Sequence, residues 1–268
     1  MLISPRQVGE VLSEGMRVLA LVWRKLIPPA FWTYVVLGAA TILTFALTGA
    51  DEFIDMVISN PGAVDQYTPE ELFEPTMRFL LAVFIVLALN AIATAFLSVA
   101  VHRLVGSELA RAPVSPGAAS LFALGNLARA VLAIVVTGLA VAAGLVLFIL
   151  PGVWLAISLS MITPVIALEH ASPLEAMRRS FSLVRGRWWQ TLGFLLMVAL
   201  MGTVAAQLVQ LVALPALSAG DVSLVVGLAF VFLIVVEGFV SAAILVMLTI
   251  WYVDLRARSE QLFTTSLS

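Results

Sequence analysis

The sequence predicts an all-helical, polytopic membrane protein, and three observations carry this prediction. Hydrophobic residues make up 62% of the 268 residues and charged residues only 11%, with a mean hydropathy of +1.11. A soluble domain is usually ~45–50% apolar and ~25% charged, because its surface needs polar cover. Long apolar stretches also recur along the chain, and basic residues cluster between alternate stretches. Together these features exclude a soluble enzyme, a disordered chain and a nucleic-acid-binding protein.

Six apolar stretches are candidates for membrane spans, since about 18 consecutive apolar residues cross the hydrocarbon core as a helix. The Leu150-Pro151-Gly152 sequence is a turn signal that separates the third stretch from a short fourth one. In the alternative interpretation, residues 127–168 form one broken segment, which would invert everything after it. The six predicted spans are residues 27–49, 76–101, 127–149, 153–168, 188–213 and 222–252.

The distribution of charge sets the predicted orientation. Lys and Arg accumulate in cytoplasmic loops near the ends of spans. With six spans and a cytoplasmic N-terminus, every basic residue except Arg78 falls on the cytoplasmic side. The outer segment over residues 50–75 carries carboxylates and no basic residue. The sequence therefore predicts an inner-membrane protein with both termini in the cytoplasm.

A short basic helix over residues 172–186 is predicted to lie on the cytoplasmic membrane surface. Ser172-Pro173-Leu174-Glu175 is a capping box with proline at the first helical position, and Gly186 is a natural stop. A basic polar face attracts anionic lipid, and Arg187-Trp188-Trp189 anchors the next span at the interface. The predicted faces are apolar Leu174, Met177, Phe181 and Val184, and polar Arg178, Arg179, Ser182 and Arg185.

Similar signals begin the other inner segments. Residues 1–26 are predicted to form an N-terminal interfacial helix, and Ser115-Pro116 begins the middle segment. A unit of surface helix plus helical hairpin would then occur three times, as a weak repeat. Alternatively, the caps arise separately, because any chain that re-enters the membrane from an inner loop needs one.

Four polar residues are predicted to share one layer inside the membrane: Asn90, Thr203, Gln207 and Glu237. An acid at the centre of a span costs roughly 2.5–3.5 kcal/mol, so Glu237 must face protein or water. In one interpretation it relays a proton or cation or contacts a polar substrate. In the other it is a structural hydrogen-bonding group between helices.

The residue types for catalysis and metal binding are sparse. There are no cysteines, and the two histidines, His102 and His170, lack metal-ligand spacing. Glu169 is expected to pair with Arg178 or Arg179 near the membrane surface. We therefore predict no metal, no cofactor and no catalytic set.

One block of sequence contains Pro164, Glu169, Pro173, Glu175, Ala176, Arg178, Ser180 and Gly186. This block resembles the glycerophosphoryl diester phosphodiesterase membrane-domain family and its bacterial six-span relatives. The resemblance implies the six-span layout, the surface helix and a bacterial plasma membrane location. It does not imply phosphodiester cleavage, because His102-Arg103 is followed by Leu104 where the catalytic motif needs glycine.

These observations predict a non-catalytic integral membrane module. It would bind anionic lipid headgroups on the cytoplasmic side and scaffold or regulate an unknown protein partner, with no nucleic acid involved. The alternative is a small transporter or channel that uses the polar layer around Glu237 and Asn90. A water-accessible polar cavity around Glu237 would favour transport, whereas a packed, dry core would favour the module.

Overall fold

The computed structural model describes residues 8–53, 67–217 and 224–266, and every regular element in these ranges is a helix. The prediction of an all-helical fold is confirmed for this part of the chain. The helices are α1 (Val8–Thr48), α2 (Asp51–Phe53), α3 (Pro69–Leu109), α4 (Pro116–Gly125), α5 (Leu127–Leu147), α6 (Ile149–Ser158), α7 (Ile162–Glu169), α8 (Pro173–Val184), α9 (Trp188–Leu217) and α10 (Leu224–Ser266).

Six helical segments of the described chain are long and apolar enough to cross a membrane. This number agrees with the six predicted spans and indicates a multi-pass membrane protein. The three-fold repeat stays a prediction. The segments are Val8–Thr48, Pro69–Leu109, Leu127–Leu147, Ile149–Glu169, Trp188–Ala205 and Val236–Glu260.

α1 is one continuous helix of 41 residues, where the sequence predicts an interfacial helix over 1–26 and a separate span. Pro28 and Pro29 lie inside it, although each removes one backbone hydrogen bond. Val22, Leu26 and Ala30 are buried on both sides of this point in the same core. Their packing keeps the helix continuous through the two prolines. Residues 1–7 lie outside the described part of the chain.

The third and fourth spans form a helical hairpin rather than one broken segment. Phe148 alone connects α5 to α6, with an extended backbone (φ −159°, ψ 144°). Gly152 lies so close to α5 that a Cβ there would be 2.6 Å from the backbone nitrogen of Leu145. The predicted turn residue Pro151 lies in the first turn of α6. It is tolerated there because the first N–H groups of a helix lack intrahelical partners anyway.

The fourth span is itself interrupted, about one turn before Pro164, a residue that the sequence predicts to kink this span. α6 ends at Ser158 and α7 begins at Ile162, with Leu159, Ser160 and Met161 in a turn between them. Pro164 is buried in α7, close to this break. The backbone groups freed at such a break need new partners within the membrane region.

α1, α3 and α10 pack against one another and form the centre of the bundle, with α9 against α10. Trp251 of α10 and Phe194 of α9 are both buried and stack with ring centroids 4.7 Å apart. α7 and α8 pack together beside α3 and α10.

The acidic segment over residues 50–75, which is predicted to be outside, is described only at its two ends. Residues 54–66 lie outside the described ranges. Arg78, the one basic residue predicted to be outside, lies 3.6 Å from Glu52 and 2.5 Å from Glu74. These two carboxylates explain why Arg78 departs from the rule that basic residues lie on the cytoplasmic side. The capping box at Thr68 and Glu71 that begins α3 is confirmed.

Candidate functional site

α8 begins at the predicted capping box. The Ser172 backbone N–H donates to Glu175 Oε2 at 2.9 Å, and the Ser172 hydroxyl donates to the same oxygen at 2.7 Å. The side-chain hydrogen bond first, then the backbone one and the charge of Arg178, lower the pKa of the Glu175 carboxyl. Gly186 follows the helix with φ +85°, as a helix stop requires. The residues that begin and end α8 could therefore both be predicted from the local sequence.

The face of α8 that packs against the protein overlaps the predicted apolar face and is shifted towards smaller residues, with Met177 and Phe181 half-buried at its edge. Ala176, Ser180, Leu183 and Val184 are buried, and of these only Val184 was predicted. Leu174 is 59% exposed. Small residues at 176 and 180 let the helix approach α6 and α7 closely. The larger apolar residue on the opposite face is left outside.

Ser180 provides hydrogen bonds to backbone groups at the break between α6 and α7. Its hydroxyl donates to the backbone oxygen of Ser158 at 2.9 Å and accepts from the backbone N–H of Met161 at 3.1 Å. These two groups flank the turn and would otherwise be unsatisfied in a buried setting. A single buried hydroxyl from α8 therefore holds the interrupted fourth span in shape.

Glu169, at the end of α7, joins three helices. Arg179 Nε of α8 donates to both of its carboxylate oxygens at 3.2 Å, and the Tyr252 hydroxyl of α10 donates to Oε1 at 2.6 Å. The sequence predicts Arg178 or Arg179 as the partner of Glu169, and in the structure the partner is Arg179. Tyr252 was not predicted at all. Arg179 is thus paired through its Nε with a carboxylate of the protein.

The exposed surface of α8 carries the other predicted arginines. Arg178 and Arg185 are both exposed, and they lie seven residues apart, on one side of the helix. Arg187 is partly buried and donates to Gln190 Oε1 at 3.1 Å. Desolvation lowers the pKa of the Arg187 guanidinium. Trp189, beside it, is 77% exposed. We call Leu174, Arg178, Arg185 and Trp189 the basic rim.

His102 forms a buried polar contact that sequence reasoning missed. Its ring lies between α10 and α7, with Nδ1 2.8 Å from Thr249 Oγ1 and Nε2 3.1 Å from Thr163 Oγ1. The Thr249 hydroxyl donates its hydrogen to the Leu245 carbonyl at 2.8 Å, so it must accept from His102 Nδ1–H. In the neutral imidazole ring of His102, Nε2 then accepts a hydrogen bond from the Thr163 hydroxyl. The sequence signal for this contact was a histidine within an apolar span.

A cavity of about 180 Å³ lies between α1, α3 and α10. The hydroxyl oxygens of Tyr34 and Ser241 are 2.6 Å apart at its wall. Thr94 Oγ1 donates to Asn90 Oδ1 at 3.4 Å, which is a long contact. Thr33 also lines the space, and its hydroxyl donates to the Pro29 carbonyl at 2.6 Å. We call this space the α1/α3/α10 cavity.

Only one member of the predicted intramembrane layer lines this cavity. Asn90 does, whereas Thr203 and Gln207 of α9 and Glu237 of α10 are exposed and line it nowhere. Tyr34 and Ser241 take the places that the sequence analysis gave to these three residues. Helices that are apolar on all sides give no sequence signal for the rotation that decides which polar groups meet.

Among the described residues, no group of three or more histidine and acidic side chains lies close enough to hold a metal ion. The motif residues have structural roles instead. Ser180 satisfies backbone groups, Glu169 joins helices, Glu175 caps α8 and Ala176 allows close packing. Arg178 is exposed, as are Glu175 and Gly186.

Comparison with known proteins gives a family and no activity. Residues 18–255 match the family described as a domain of unknown function, DUF7847, and the chain belongs to that family. No curated protein and no solved structure matches the chain. The match does not link the chain to the phosphodiesterase membrane-domain family, and that resemblance rests on the motif alone.

Proposed function

We propose that this protein is a non-catalytic module of the bacterial plasma membrane that binds anionic lipid headgroups at the cytoplasmic end of its bundle. The observation that carries the proposal is the basic rim. Arg178 and Arg185 project from a helix whose opposite face is anchored to the protein interior. In this role the module would also scaffold or regulate a protein partner.

The anchoring of α8 supports binding because it orders the arginines in advance. The bonds of Ser180 to the fourth span and of Arg179 to Glu169 fix both the rotation and the position of the helix. A rigid site loses less conformational entropy when it binds a ligand. The arginines on the outer face then meet headgroups without a prior rearrangement.

The residues beside the arginines suit an interfacial position. Leu174 and Trp189 are exposed, and apolar and indole side chains at the headgroup level are typical of helices that lie in the membrane surface. The charge rule assigns this end of the bundle to the cytoplasm, where anionic lipids attract basic residues by about 1 kcal/mol per Lys or Arg. Both termini are placed on the same side in this proposal.

Spin-labelled lipids test the proposal directly. The protein is placed in nanodiscs with spin-labelled phosphatidylglycerol or phosphatidylcholine, and the motionally restricted fraction of each is measured. We expect the preference for phosphatidylglycerol to fall several-fold in an Arg178→Gln, Arg185→Gln double variant, given the attraction per basic residue. Arg179 is left in place because its loss would break the contact with Glu169.

Arg78→Gln is the control, since it removes one positive charge near the start of α3, where Glu52 and Glu74 pair with it. It should leave the lipid preference unchanged. An unaltered preference in the double variant, or an equal loss in the control, would rule out the basic rim as the lipid site.

A small transporter or channel is the second candidate, and the α1/α3/α10 cavity is the observation that favours it. Polar side chains from three helices converge there at membrane depth. Glu237 does not line the cavity, so the version that relies on this acid has less support. Loss of solute uptake in folded Asn90→Leu protein, with Glu237→Gln protein unaffected, would support transport through the cavity. Normal uptake in both variants would exclude it.

A further inference from the structure

The α1/α3/α10 cavity lies close to the middle of the membrane. At 1.5 Å per residue, Asn90 is about 18 Å along α3 from Arg78 and about 20 Å from Arg103. These two charged residues stand towards opposite ends of the helix. Asn90 is itself exposed while it lines the cavity, so the space is reached from the surface of the bundle.

Among the polar groups that line the cavity, hydrogen-bond donors outnumber the acceptors available to them. Within the described residues, the Asn90 amide N–H groups meet no acceptor, while Asn90 Oδ1 is contacted by Thr94. Tyr34 and Ser241 contribute two hydroxyl hydrogens, of which only one lies between their two oxygens. The Thr33 hydrogen is used on the Pro29 carbonyl. Unused hydrogens at this depth favour a ligand that brings an acceptor, because an unsatisfied donor in hydrocarbon costs several kcal/mol.

The ligand should carry no charge. Among the residues that the structure describes, no lysine, arginine or carboxylate lines the cavity. Glu237 stands just outside it, before Gly238, which packs against the Tyr34 ring. Its position disfavours an anion further. The volume of about 180 Å³ fits one small polar group rather than a whole lipid.

We propose that the α1/α3/α10 cavity binds the carbonyl end of a neutral, membrane-soluble molecule, with Asn90 and the Tyr34–Ser241 hydroxyl pair as hydrogen-bond donors. A ketone, ester or amide oxygen accepts from these groups. The hydrocarbon part of the ligand remains in the bilayer or against the apolar walls formed by Leu37, Leu97 and Ile244. This site is separate from the basic rim and does not depend on it.

A matched pair of photoreactive probes tests the proposal. One is a twelve-carbon 2-ketone with a diazirine in its chain, and the other is the corresponding alkane diazirine without oxygen. The full chain is placed in nanodiscs of a diether phosphatidylcholine, whose ether linkages offer no competing ester carbonyl. Labelled peptides are identified by mass spectrometry after illumination. We expect the ketone to label the segments around Tyr34, Asn90 and Ser241 about five-fold more than the alkane, as one intramembrane hydrogen bond provides.

Variants separate the site from non-specific partitioning. Asn90→Leu and Tyr34→Phe should each remove most of the excess labelling by the ketone, and Tyr34→Phe keeps the ring that packs on Gly238. Thr203→Val is the matched control, because Thr203 is a polar membrane residue outside the cavity. It should label like the unmodified protein. Equal labelling by ketone and alkane, or an excess that survives in folded Tyr34→Phe and Asn90→Leu proteins, would overturn the proposal and leave a cavity filled by water or lipid chains.

Discussion

The Tyr252 hydroxyl donates a hydrogen bond to Glu169 Oε1 at 2.6 Å across 83 residues of sequence. Glu169 ends the interrupted fourth span, and Tyr252 lies in the last one. Arg179 completes the contact from α8 and binds the same carboxylate. The position of α8, and hence of the basic rim, therefore depends on a polar contact among three helices that are far apart in the chain.

Removal of the tyrosine hydroxyl should weaken this contact without breaking it. In Tyr252→Phe, Glu169 keeps Arg179 as its partner, so we expect a loss of about 1–2 kcal/mol in the free energy of unfolding. Glu169→Ala should cost more, because it also leaves the Arg179 guanidinium without its carboxylate. Unfolding in a titration with sodium dodecyl sulfate measures both. Tyr67→Phe, near the start of α3, is the control and should lie close to the unmodified protein.

Ser180 should be more important to stability than its small side chain suggests. Ser180→Ala leaves the Ser158 carbonyl and the Met161 N–H without their partner, and we expect a loss of about 2 kcal/mol. Ser182, two residues further along α8, is exposed and only donates to the Arg179 carbonyl of its own helix. Ser182→Ala should change stability by less than about 0.5 kcal/mol. Similar values for the two alanine variants in the same detergent titration would contradict the role of Ser180 at the break.

The α5–α6 hairpin should depend on glycine at 152. In Gly152→Ala the new methyl would lie 2.6 Å from the Leu145 backbone nitrogen, so the helices must separate, at a cost of about 1–3 kcal/mol. Gly138, on α5 of the same hairpin, has open space where its Cβ would be. Gly138→Ala should therefore show no loss of stability. A thermal or detergent unfolding comparison of the pair isolates the close approach from the general effect of an added methyl group.

The sequence was sufficient for features that depend on neighbouring residues. The number of spans follows from local hydrophobicity, and the caps at Thr68, Ser115 and Ser172 follow from residues within one helical turn. Gly186 as a helix stop and the pairing of Glu169 with a nearby arginine are equally local.

Contacts between helices that are far apart in the chain could not be predicted from the sequence. His102 meets Thr249 across 147 residues, and Tyr34 meets Ser241 across 207. Which face of an apolar helix turns inward depends on packing, and an apolar surface on all sides leaves that rotation unmarked. The same limit applies to α8, where the predicted face includes the exposed Leu174 and omits the buried Ala176 and Ser180. Ala176 and Ser180 pack inward because they are small, and hydrophobicity alone does not rank them first.

Cysteine accessibility should reveal an unusual position for the α5–α6 turn. Val146 and Leu150, on either side of Phe148, are 86% and 82% exposed, and no polar residue interrupts this stretch. Water against so many large apolar side chains is unfavourable, at roughly 25 cal/mol per Å². We therefore expect lipid to cover the turn, and Phe148→Cys to resist membrane-impermeant maleimide on both sides of the membrane. The chain has no native cysteine, so each introduced thiol is read without background.

The same assay tests the orientation on which the lipid proposal depends. Asp65→Cys, in the acidic segment, should react in intact cells, whereas Arg178→Cys should react only after the membrane is opened. Reaction at Arg178→Cys from outside would place the basic rim on the wrong side for cytoplasmic lipids. If Phe148→Cys reacted as fast as Asp65→Cys in intact cells, the hairpin would emerge into water, and its exposed apolar surface would instead require a protein partner on the outer side.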